Sequence, residues 1–241
     1  MCGRFALTLP VDGIRKLFGF SQIPNLPPRW NIAPTQAVLA VRQEPDGPAA
    51  FPARWGLIPG WSKDPSIGAK LINARSETVR EKPSFRTAFQ RRRCLIPADS
   101  FYEWKTVHGI KQPYRIRFDD DGLFAFAGLW ERWQGGDGSD VETCSIVTTD
   151  ANETLSPLHH RMPVILDQPA FSTWLTGPQN DAAALMHPYH GPRTLTYYPI
   201  SRKLNDVRTD DATLWEEVPL PTEPEPDEKR KKPADDQLSL F

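Results

Sequence analysis

The chain has 241 residues, and its 29 basic and 30 acidic residues leave a net charge of −1, which is atypical of a general nucleic-acid binder. Three cysteines, Cys2, Cys94 and Cys144, are too few and too scattered for a disulfide framework or a zinc site. No apolar run is long enough to span a membrane or follows a basic start as in a signal peptide, so we expect a soluble cytoplasmic protein.

The first half of the chain is predicted to form short strands and two short helices. Residues 4–9 alternate as a strand does, and residues 11–18 have helical spacing that ends at Gly19. A second helix is predicted to begin with a cap at Ser84 and to run to Arg91. Further strands are predicted at residues 94–97, 101–105 and 113–118, the last after a turn at His108-Gly109.

The second half is predicted to contain a long hairpin followed by small elements. Residues 123–133 and 141–148 form its strands, around a turn rich in glycine at residues 135–138. A short helix is predicted to begin at Asp150. Strands are also predicted at residues 164–166 and 194–199, and helices at 167–174 and 181–186. This order indicates an α+β class: one domain on a mixed or antiparallel curled, barrel-like sheet with short peripheral helices.

The composition changes near residue 221, which divides the chain into three parts. Residues 1–220 are mixed and globular in composition. Residues 221–236 are proline and charge with almost no apolar side chain, so they are predicted to be a disordered linker. The last five residues, 237–241, are apolar again, which is typical of a short docking motif on a tether.

Cys2 is the most informative residue, because removal of Met1 would leave an α-amine and a thiol on one residue. Such an aminothiol reacts twice with an aldehyde: the amine forms an imine, and the thiol then closes a thiazolidine ring. Both groups ordinarily titrate near neutrality, with pKa values of ~7.7–8.0 and ~8.5. An incidental cysteine at a frayed terminus is the alternative.

Two segments before residue 80 carry groups that suit nucleic-acid binding. Trp61 ends a loop that contains proline and glycine; an exposed indole there would stack on an unpaired base, worth ~1–3 kcal/mol, whereas a buried one would serve the core. Asn73 and Arg75 follow an apolar pair. The amide can hold an amine or a thiol and the guanidinium a phosphate, unless these residues only end a strand.

Later segments carry candidates for acid–base chemistry. Glu103 lies between aromatic residues on an apolar strand, where burial would raise its pKa and allow proton transfer near neutral pH. An outward-facing glutamate is the alternative. His159 and His160 precede Arg161, and one imidazole can act as a general acid or base. Adjacent histidines lack the usual spacing of metal ligands, so no metal site is predicted.

Eight short motifs occur in one order between residue 2 and about residue 215, and together they are specific. They are Cys2-Gly3-Arg4, Asn31-Ile32-Ala33-Pro34, Trp55-Gly56-Leu57-Ile58-Pro59, Asn73-Ala74-Arg75-x-Glu77-Thr78, Arg93-Cys94-Leu95-Ile96-Pro97-Ala98, Phe101-Tyr102-Glu103-Trp104, Ala127-Gly128-Leu129-Trp130 and His159-x-Arg161-Met162-Pro163. In this set the chain resembles the SRAP family, the SOS-response-associated peptidases, which sense abasic sites in single-stranded DNA.

The resemblance implies a covalent mechanism and a role for each matched residue. Met1 is lost, by self-cleavage or otherwise, and Cys2 forms a thiazolidine with the ring-opened abasic sugar, which protects the lesion during replication. Asn73 matches the residue that orients Cys2, and Glu103 matches the acid/base group. His159 matches a histidine implicated in imine chemistry, crosslink reversal and strand scission, although His160 stands where Asp or Asn is usual. The DNA-binding matches are Arg4, Trp61, Arg75 and Arg161, with Arg86 as a looser candidate.

The last residues resemble a second known motif, the bacterial sliding-clamp-binding peptide Gln-Leu-x-Leu-Phe. Gln237, Leu238, Leu240 and Phe241 match it, and a flexible tether would raise the local concentration of the domain at the clamp. The alternative is an apolar C-terminal end that makes only nonspecific contacts. Expected partners are single-stranded DNA with abasic sites and the replication clamp; a monomer at the replication fork, without cofactor or metal, is predicted.

Two other functions compete with this prediction. One is a cysteine peptidase that acts on other proteins, with Cys2 as nucleophile and His159 as base. The other is a non-covalent module that binds modified bases or single-stranded DNA. The first predicts peptide cleavage without DNA, and the second predicts that Cys2 is dispensable.

Overall fold

A computed structural model describes residues 2–21 and 27–222, which form thirteen β-strands and four short α-helices. The strands are β1 (Phe5–Leu7), β2 (Arg29–Ile32), β3 (Ala37–Glu44), β4 (Gly47–Trp55), β5 (Asn73–Arg75), β6 (Arg93–Ala98), β7 (Ser100–Val107), β8 (Ile110–Phe118), β9 (Phe124–Gln134), β10 (Asp140–Asp150), β11 (Arg161–Pro163), β12 (Ile165–Leu166) and β13 (Leu195–Pro199). The helices are α1 (Val11–Phe18), α2 (Arg86–Arg91), α3 (Phe171–Thr176) and α4 (Gln179–Ala184). Within these residues no helix has the length and apolarity that a membrane span requires.

Five strands close into a barrel in the order β4-β3-β6-β9-β10, with β10 pairing again with β4. All pairings around this ring are antiparallel except that of β10 with β4, where Thr143 lies opposite Arg54. Closure leaves no free edge within the ring. The prediction of an α+β domain on a curled, mixed sheet is therefore confirmed. Strands β5 and β11 extend from β10, and β12 extends from β9.

A second, antiparallel sheet runs in the order β13-β8-β7-β1-β2 and covers the barrel. Its two faces differ because successive side chains of a strand point in opposite directions. Phe5 packs edge-on against Trp55 and Phe126, with ring centroids 5.2 and 5.6 Å away, and joins the sheet to the barrel core. Tyr102 faces the other way, into a smaller apolar cluster that includes Leu204.

Most predictions of local structure are confirmed where a glycine ends an element or forms a turn. Helix α1 covers residues 11–18 as predicted, and Gly19 ends it at φ 76° with its N–H bonded to the Arg15 carbonyl at 2.8 Å. Strands β9 and β10 form the expected hairpin, and the His108-Gly109 turn joins β7 to β8. The helix predicted at 167–174 is divided into a 3₁₀ turn at Gln168–Ala170 and α3.

Two local predictions are wrong. Ser84 does not cap α2: Phe85 precedes its first residue, and no side chain caps this helix. No helix begins at Asp150, which is the last residue of β10. Residues after it form turns instead, fixed by the Asn152 side chain, which accepts a hydrogen bond from Leu155 N at 3.1 Å. The predicted clamp-binding peptide and residues 223–236 of the linker lie outside the described residues.

Gly56 is expected to be among the most sensitive positions for stability. Its φ is +133°, and a Cβ would lie 2.5 Å from the carbonyl oxygen of Gly68, a backbone atom that cannot move alone. Gly56→Ala should therefore lower the free energy of unfolding by about 3 kcal/mol, from backbone strain and overpacking together. Urea denaturation monitored by tryptophan fluorescence measures this change.

Gly13 provides the matched control for that substitution. It lies exposed in α1, and nothing lies within 4 Å of a Cβ built there. Gly13→Ala should raise the free energy of unfolding by ~0.5–1 kcal/mol, because alanine is the better helix former. Equal effects of the two substitutions would contradict the role of the close backbone approach.

Candidate functional site

Cys2 lies just before β1, and the pairing of β1 with β7 sets its surroundings. Phe5 is opposite Phe101, and the Tyr102 N–H donates to the Arg4 carbonyl at 3.0 Å. Continuing this register places Gly3 opposite Glu103, next to Cys2. The Cys2 side chain is completely buried. The topology thus brings the first residues of the chain beside the one glutamate that was predicted to be an acid or base.

Asn73 holds Cys2 from the barrel side. Strand β5 runs parallel to β10 with Asn73 opposite Ile146, and the Ile72 carbonyl accepts hydrogen bonds from the Trp55 indole at 2.9 Å and from Ile146 N at 3.0 Å. From this fixed backbone the Asn73 amide nitrogen donates to the Cys2 carbonyl at 2.9 Å. Its Oδ1 is buried and has no hydrogen-bond partner among the described residues. An acceptor for an amine or hydroxyl donor is therefore left beside Cys2.

The electrostatic environment favours the neutral forms of the Cys2 thiol and the Glu103 carboxyl group. Burial raises the pKa of the Cys2 thiol far above its ordinary value, and the nearby Glu103 carboxylate raises it further. Burial also raises the pKa of Glu103, which is only 5% exposed. A buried carboxylic acid of this kind can give up a proton and take one back near neutral pH. The thiol, in turn, needs a base to become nucleophilic.

His159 lies two residues before β11 and is half-buried, while His160 is exposed and stacks on it with ring centroids 4.4 Å apart. The Nδ1 of His159 accepts a hydrogen bond from Arg161 N at 2.9 Å. Nδ1 also lies 3.2 Å from the Arg161 carbonyl oxygen, to which a protonated Nδ1 would donate. The contact with the N–H is the shorter of the two, and an N–H can only donate, so it favours the neutral tautomer with the proton on Nε2. Burial lowers its pKa. Its burial and its fixed ring agree with the motif register, which favours His159 over His160.

Arg161 is buried in a network of its own. Its side chain is 7% exposed, and its guanidinium binds both carboxylate oxygens of Glu77. It also pairs with Asp150 at 3.0 Å and donates to the Thr148 carbonyl at 2.7 Å. In this arrangement Arg161 does not present its guanidinium for a phosphate contact. Its predicted role at DNA therefore requires that one of these bonds be exchanged.

The other predicted DNA-binding residues differ in how available they are. Trp61 is 62% exposed, which excludes the alternative of a core indole. Arg75 and Arg86 are exposed, and neither side chain has a hydrogen-bond or ion-pair partner within residues 2–21 and 27–222. Arg4 is partly engaged, because its Nη1 donates to Asn31 Oδ1 at 2.6 Å and to the Leu204 carbonyl at 2.9 Å.

Glu77 and Asn31 are contributors that sequence reasoning missed. Both stand in quoted motifs, but neither received a role, because their partners lie far away in the chain. Asn31 is fully buried, and its amide donates to three carbonyls between residues 204 and 209. The signal in the sequence that could have identified Asn31 is a polar residue at the start of an otherwise apolar motif. Among the described residues, no group of three or more His, Cys, Asp or Glu side chains could hold a metal ion.

Comparison with known proteins identifies a matching family and several relatives. Residues 1–207 match the model of the family described as SOS response associated peptidase (SRAP). The abasic site processing protein YoqW of Bacillus subtilis is 41% identical over 225 residues, which are 90% of this chain and 99% of that protein. The abasic site processing protein HMCES of Xenopus tropicalis is 32% identical over 256 residues, covering 86% of this chain and 76% of that protein.

A solved structure has the same fold. The crystal structure of a protein from Bacteroides thetaiotaomicron superposes with a TM-score of 0.80 at 26% sequence identity, covering 90% of this chain and 100% of that one. The fold described above is therefore shared with that protein over nearly its whole length.

Proposed function

This chain belongs to the SOS response associated peptidase (SRAP) family, and from that premise we propose that it traps abasic sites of single-stranded DNA covalently through Cys2. Removal of Met1, by the protein itself or by an aminopeptidase, exposes the Cys2 amine. That amine and the thiol then form a thiazolidine with the aldehyde of the opened sugar, and the adduct protects the lesion during replication. Strand scission next to the lesion is a further activity that the same imine permits.

One observation carries the proposal: a fully buried cysteine at position 2 is held by Asn73 and lies beside a buried glutamate of raised pKa. A terminal segment ordinarily frays unless other groups tie it down. Here the Asn73 amide and the β1–β7 pairing both hold it in place.

The proposed steps need no group other than those at the site. Glu103 protonates the ring oxygen of the sugar hemiacetal while the anomeric hydroxyl gives up its proton to solvent, and the ring opens to the aldehyde. The Cys2 amine adds to this carbonyl and water leaves, so that an imine forms. Glu103, now a carboxylate, accepts the thiol proton; sulfur adds to the imine carbon, and the nitrogen takes up the proton. The oxidation level of the sugar carbon does not change. His159, through Nε2, serves the proton transfers of imine hydrolysis and of strand scission.

Two exposed side chains suit an unpaired strand. Trp61 offers a face for stacking of a base, and Arg75 offers a free cation for a phosphate. A lesion reaches a terminus held between two sheets only where the backbone can bend, which a stacked partner strand opposes. This reasoning supports a preference for single-stranded over duplex DNA.

The test compares three matched single-stranded oligonucleotides with the wild-type protein. One carries a true abasic site, one is undamaged, and one carries a tetrahydrofuran analogue that cannot open to an aldehyde. We expect an adduct of protein plus DNA, less Met1, only with the first, by intact mass and denaturing gel. An adduct with all three, or with none when Met1 has been removed, would defeat the proposal.

The same samples separate the two alternative functions. A peptidase acting on other proteins would cleave an unstructured peptide substrate in the absence of DNA, and it would form no DNA adduct. A non-covalent reader would shift all abasic oligonucleotides on a native gel and none on a denaturing gel. Neither pattern is expected for a protein that acts through an aldehyde.

Arg75→Ala should weaken non-covalent binding of the tetrahydrofuran oligonucleotide uniformly across sequences. Arg75 is exposed and unpaired among the described residues, so a phosphate contact is its main available use. Loss of one such contact should reduce the slope of log affinity against log salt by ~0.7. Fluorescence anisotropy at four or more salt concentrations measures both effects.

Arg15→Ala is the control for this measurement. Arg15 is an exposed arginine of α1 that already pairs with Asp12 at 3.5 Å. Its replacement should change neither the affinity nor the salt slope beyond the small effect of net charge. An equal loss in both variants would mean that Arg75 contributes only through the overall charge of the protein.

A further inference from the structure

Glu77 is fixed at the meeting point of three strands. It follows β5 closely, and the N–H of the preceding Ser76 donates to the Thr148 carbonyl of β10 at 2.8 Å. The same carbonyl accepts a hydrogen bond from the Arg161 guanidinium of β11 at 2.7 Å. The loop that carries Glu77 and the strand that carries Arg161 are thus held to one atom of β10.

The bond between Glu77 and Arg161 compensates a buried charge. Both carboxylate oxygens accept from the guanidinium, a two-pronged arrangement that fixes orientation as well as distance. The Arg161 guanidinium correspondingly lowers the pKa of Glu77, which stays ionised. Asp150 contacts the same guanidinium through one oxygen, and its side chain is 78% exposed against 47% for Glu77, so solvent weakens its bond more. Glu77 is therefore the main partner of the Arg161 charge.

Arg161 links Glu77 to the His159 imidazole, because its side chain and its main chain have different partners. Its side chain is held by Glu77, and its main-chain N–H donates to His159 Nδ1 at 2.9 Å. The β10–β11 register, with Asp150 opposite Arg161, leaves His159 just outside the ladder. His159 thus lies outside the strand pairing, and the Arg161 main chain contacts its ring at Nδ1.

We propose that Glu77 is a positioning residue: by holding Arg161, it fixes His159 with Nδ1 as an acceptor and the proton on Nε2. The use made of this proton rests on the proposed function, in which the Nε2–H donates during hydrolysis of the imine. The fixed tautomer itself does not depend on DNA. Arg161 forms the end pair of the three-residue β10–β11 ladder, and without Glu77 this end loses a side-chain anchor. We then expect His159 to exchange between its two neutral tautomers, because Nδ1 can also donate to the Arg161 carbonyl, 3.2 Å away.

The test is nitrogen NMR of the full chain labelled with ¹⁵N-histidine, without DNA. In the wild type, at a pH where His159 is neutral, we expect its Nδ1 and Nε2 resonances to be well separated, as in a single tautomer. His159→Gln assigns the signals. Glu77→Gln should bring the two shifts together, as tautomer exchange does. Asp150→Asn, which removes the exposed carboxylate from the same guanidinium, should leave the spectrum unchanged.

A second measurement connects the tautomer to chemistry. Release of DNA from the purified crosslink should be roughly tenfold slower in Glu77→Gln, as is usual when an outer partner of a functional histidine is lost. Glu77→Asp, which keeps the charge, should recover part of both the NMR separation and the release rate. If Glu77→Gln does not fold, by circular dichroism, Glu77→Asp must show a partial loss of the separation.

The outcomes distinguish this inference from the proposed function. An unchanged His159 spectrum in a folded Glu77→Gln protein overturns the positioning role, whatever happens to crosslinking. Absence of any wild-type DNA adduct defeats the proposed function but leaves the NMR result standing. A lower melting temperature with an unaltered spectrum would mean that Glu77 only stabilises the fold.

Discussion

Cys2→Ala is expected to eliminate the DNA adduct that survives denaturation, while affinity for the tetrahydrofuran oligonucleotide stays within about twofold of wild type, which corresponds to less than ~0.5 kcal/mol. Alanine at position 2 still leaves an α-amine after Met1 is removed, but an imine alone hydrolyses. Without the thiol, no ring closes to trap it. Borohydride added during the reaction should therefore recover an adduct from Cys2→Ala by reducing the imine. Denaturing gels with and without borohydride give both results.

A second variant separates the amine from the thiol. A short N-terminal extension before Met1 keeps the Cys2 side chain but converts its nitrogen permanently into an amide. We expect no adduct from it, with or without borohydride, as long as intact mass shows that the extension is retained. An adduct from this protein would show that another nucleophile reacts with the lesion. Persistence of the stable adduct in Cys2→Ala would have the same meaning.

The parts of the fold that could be predicted from sequence are those with local signals. Helix α1 ends at Gly19 because a left-handed residue is needed there, and glycine provides it without strain. The His108-Gly109 and 135–138 turns likewise mark the two hairpins that they connect. Each of these features depends on a few neighbouring residues, so the sequence specifies it directly.

Strands β2, β3 and β4 had no such signal and were not predicted. Strand β4 contains Pro48 and Pro52, and proline within a run argues against a central strand. Both prolines lie opposite residues of β3, whereas β10 pairs only with the last two residues of β4. At Pro48 and Pro52 the backbone therefore lacks an N–H only on the edge of β4 that faces away from β3. Among the described residues, no strand pairs with that edge at these two positions, so no ladder hydrogen bond is lost. The closed barrel could not be deduced without these strands.

The site was predictable in its residue types and not in its pairings. Cys2, Asn73 and Glu103 could each be singled out, yet their proximity depends on the β1–β7 and β5–β10 registers. Arg161 is the clearest example of a pairing that sequence does not reveal. Its motif suggested a phosphate contact, but its charge is neutralised by Glu77, 84 residues away in sequence. Long-range pairs of this kind are set by topology.

Glu103→Gln is expected to slow adduct formation by ~10²–10⁴-fold, because the amide has the shape of the acid but cannot transfer a proton. The wild-type rate should fall at high pH, as the buried carboxyl of raised pKa loses the proton that opens the sugar. It should also fall at low pH, where the amine is protonated. In Glu103→Gln only the low-pH decline should remain. Single-turnover rates from pH 5 to 9 measure both limbs.

The substitution Glu103→Gln should change stability in the opposite direction from activity. Because burial raises the pKa of Glu103 in the folded protein, the folded state holds this proton more tightly than the unfolded state does. Wild-type stability should therefore decline as pH rises from the ordinary range of glutamate through the raised pKa, as the buried group ionises. A glutamine side chain at this position has no charge to bury, so Glu103→Gln should gain in relative melting temperature as pH increases.

Glu153→Gln is the control for both measurements, because Glu153 is exposed in the turns after β10. It should have the wild-type rate profile and the wild-type dependence of melting temperature on pH. If Glu103→Gln also kept the high-pH decline in rate, another group would have to be the acid, and Glu103 would only shape the pocket. If its relative stability did not rise with pH, Glu103 would be ionised in the folded protein and stabilised by its neighbours. A fall in rate together with a rise in stability is the combination that a buried acid at a reactive site produces.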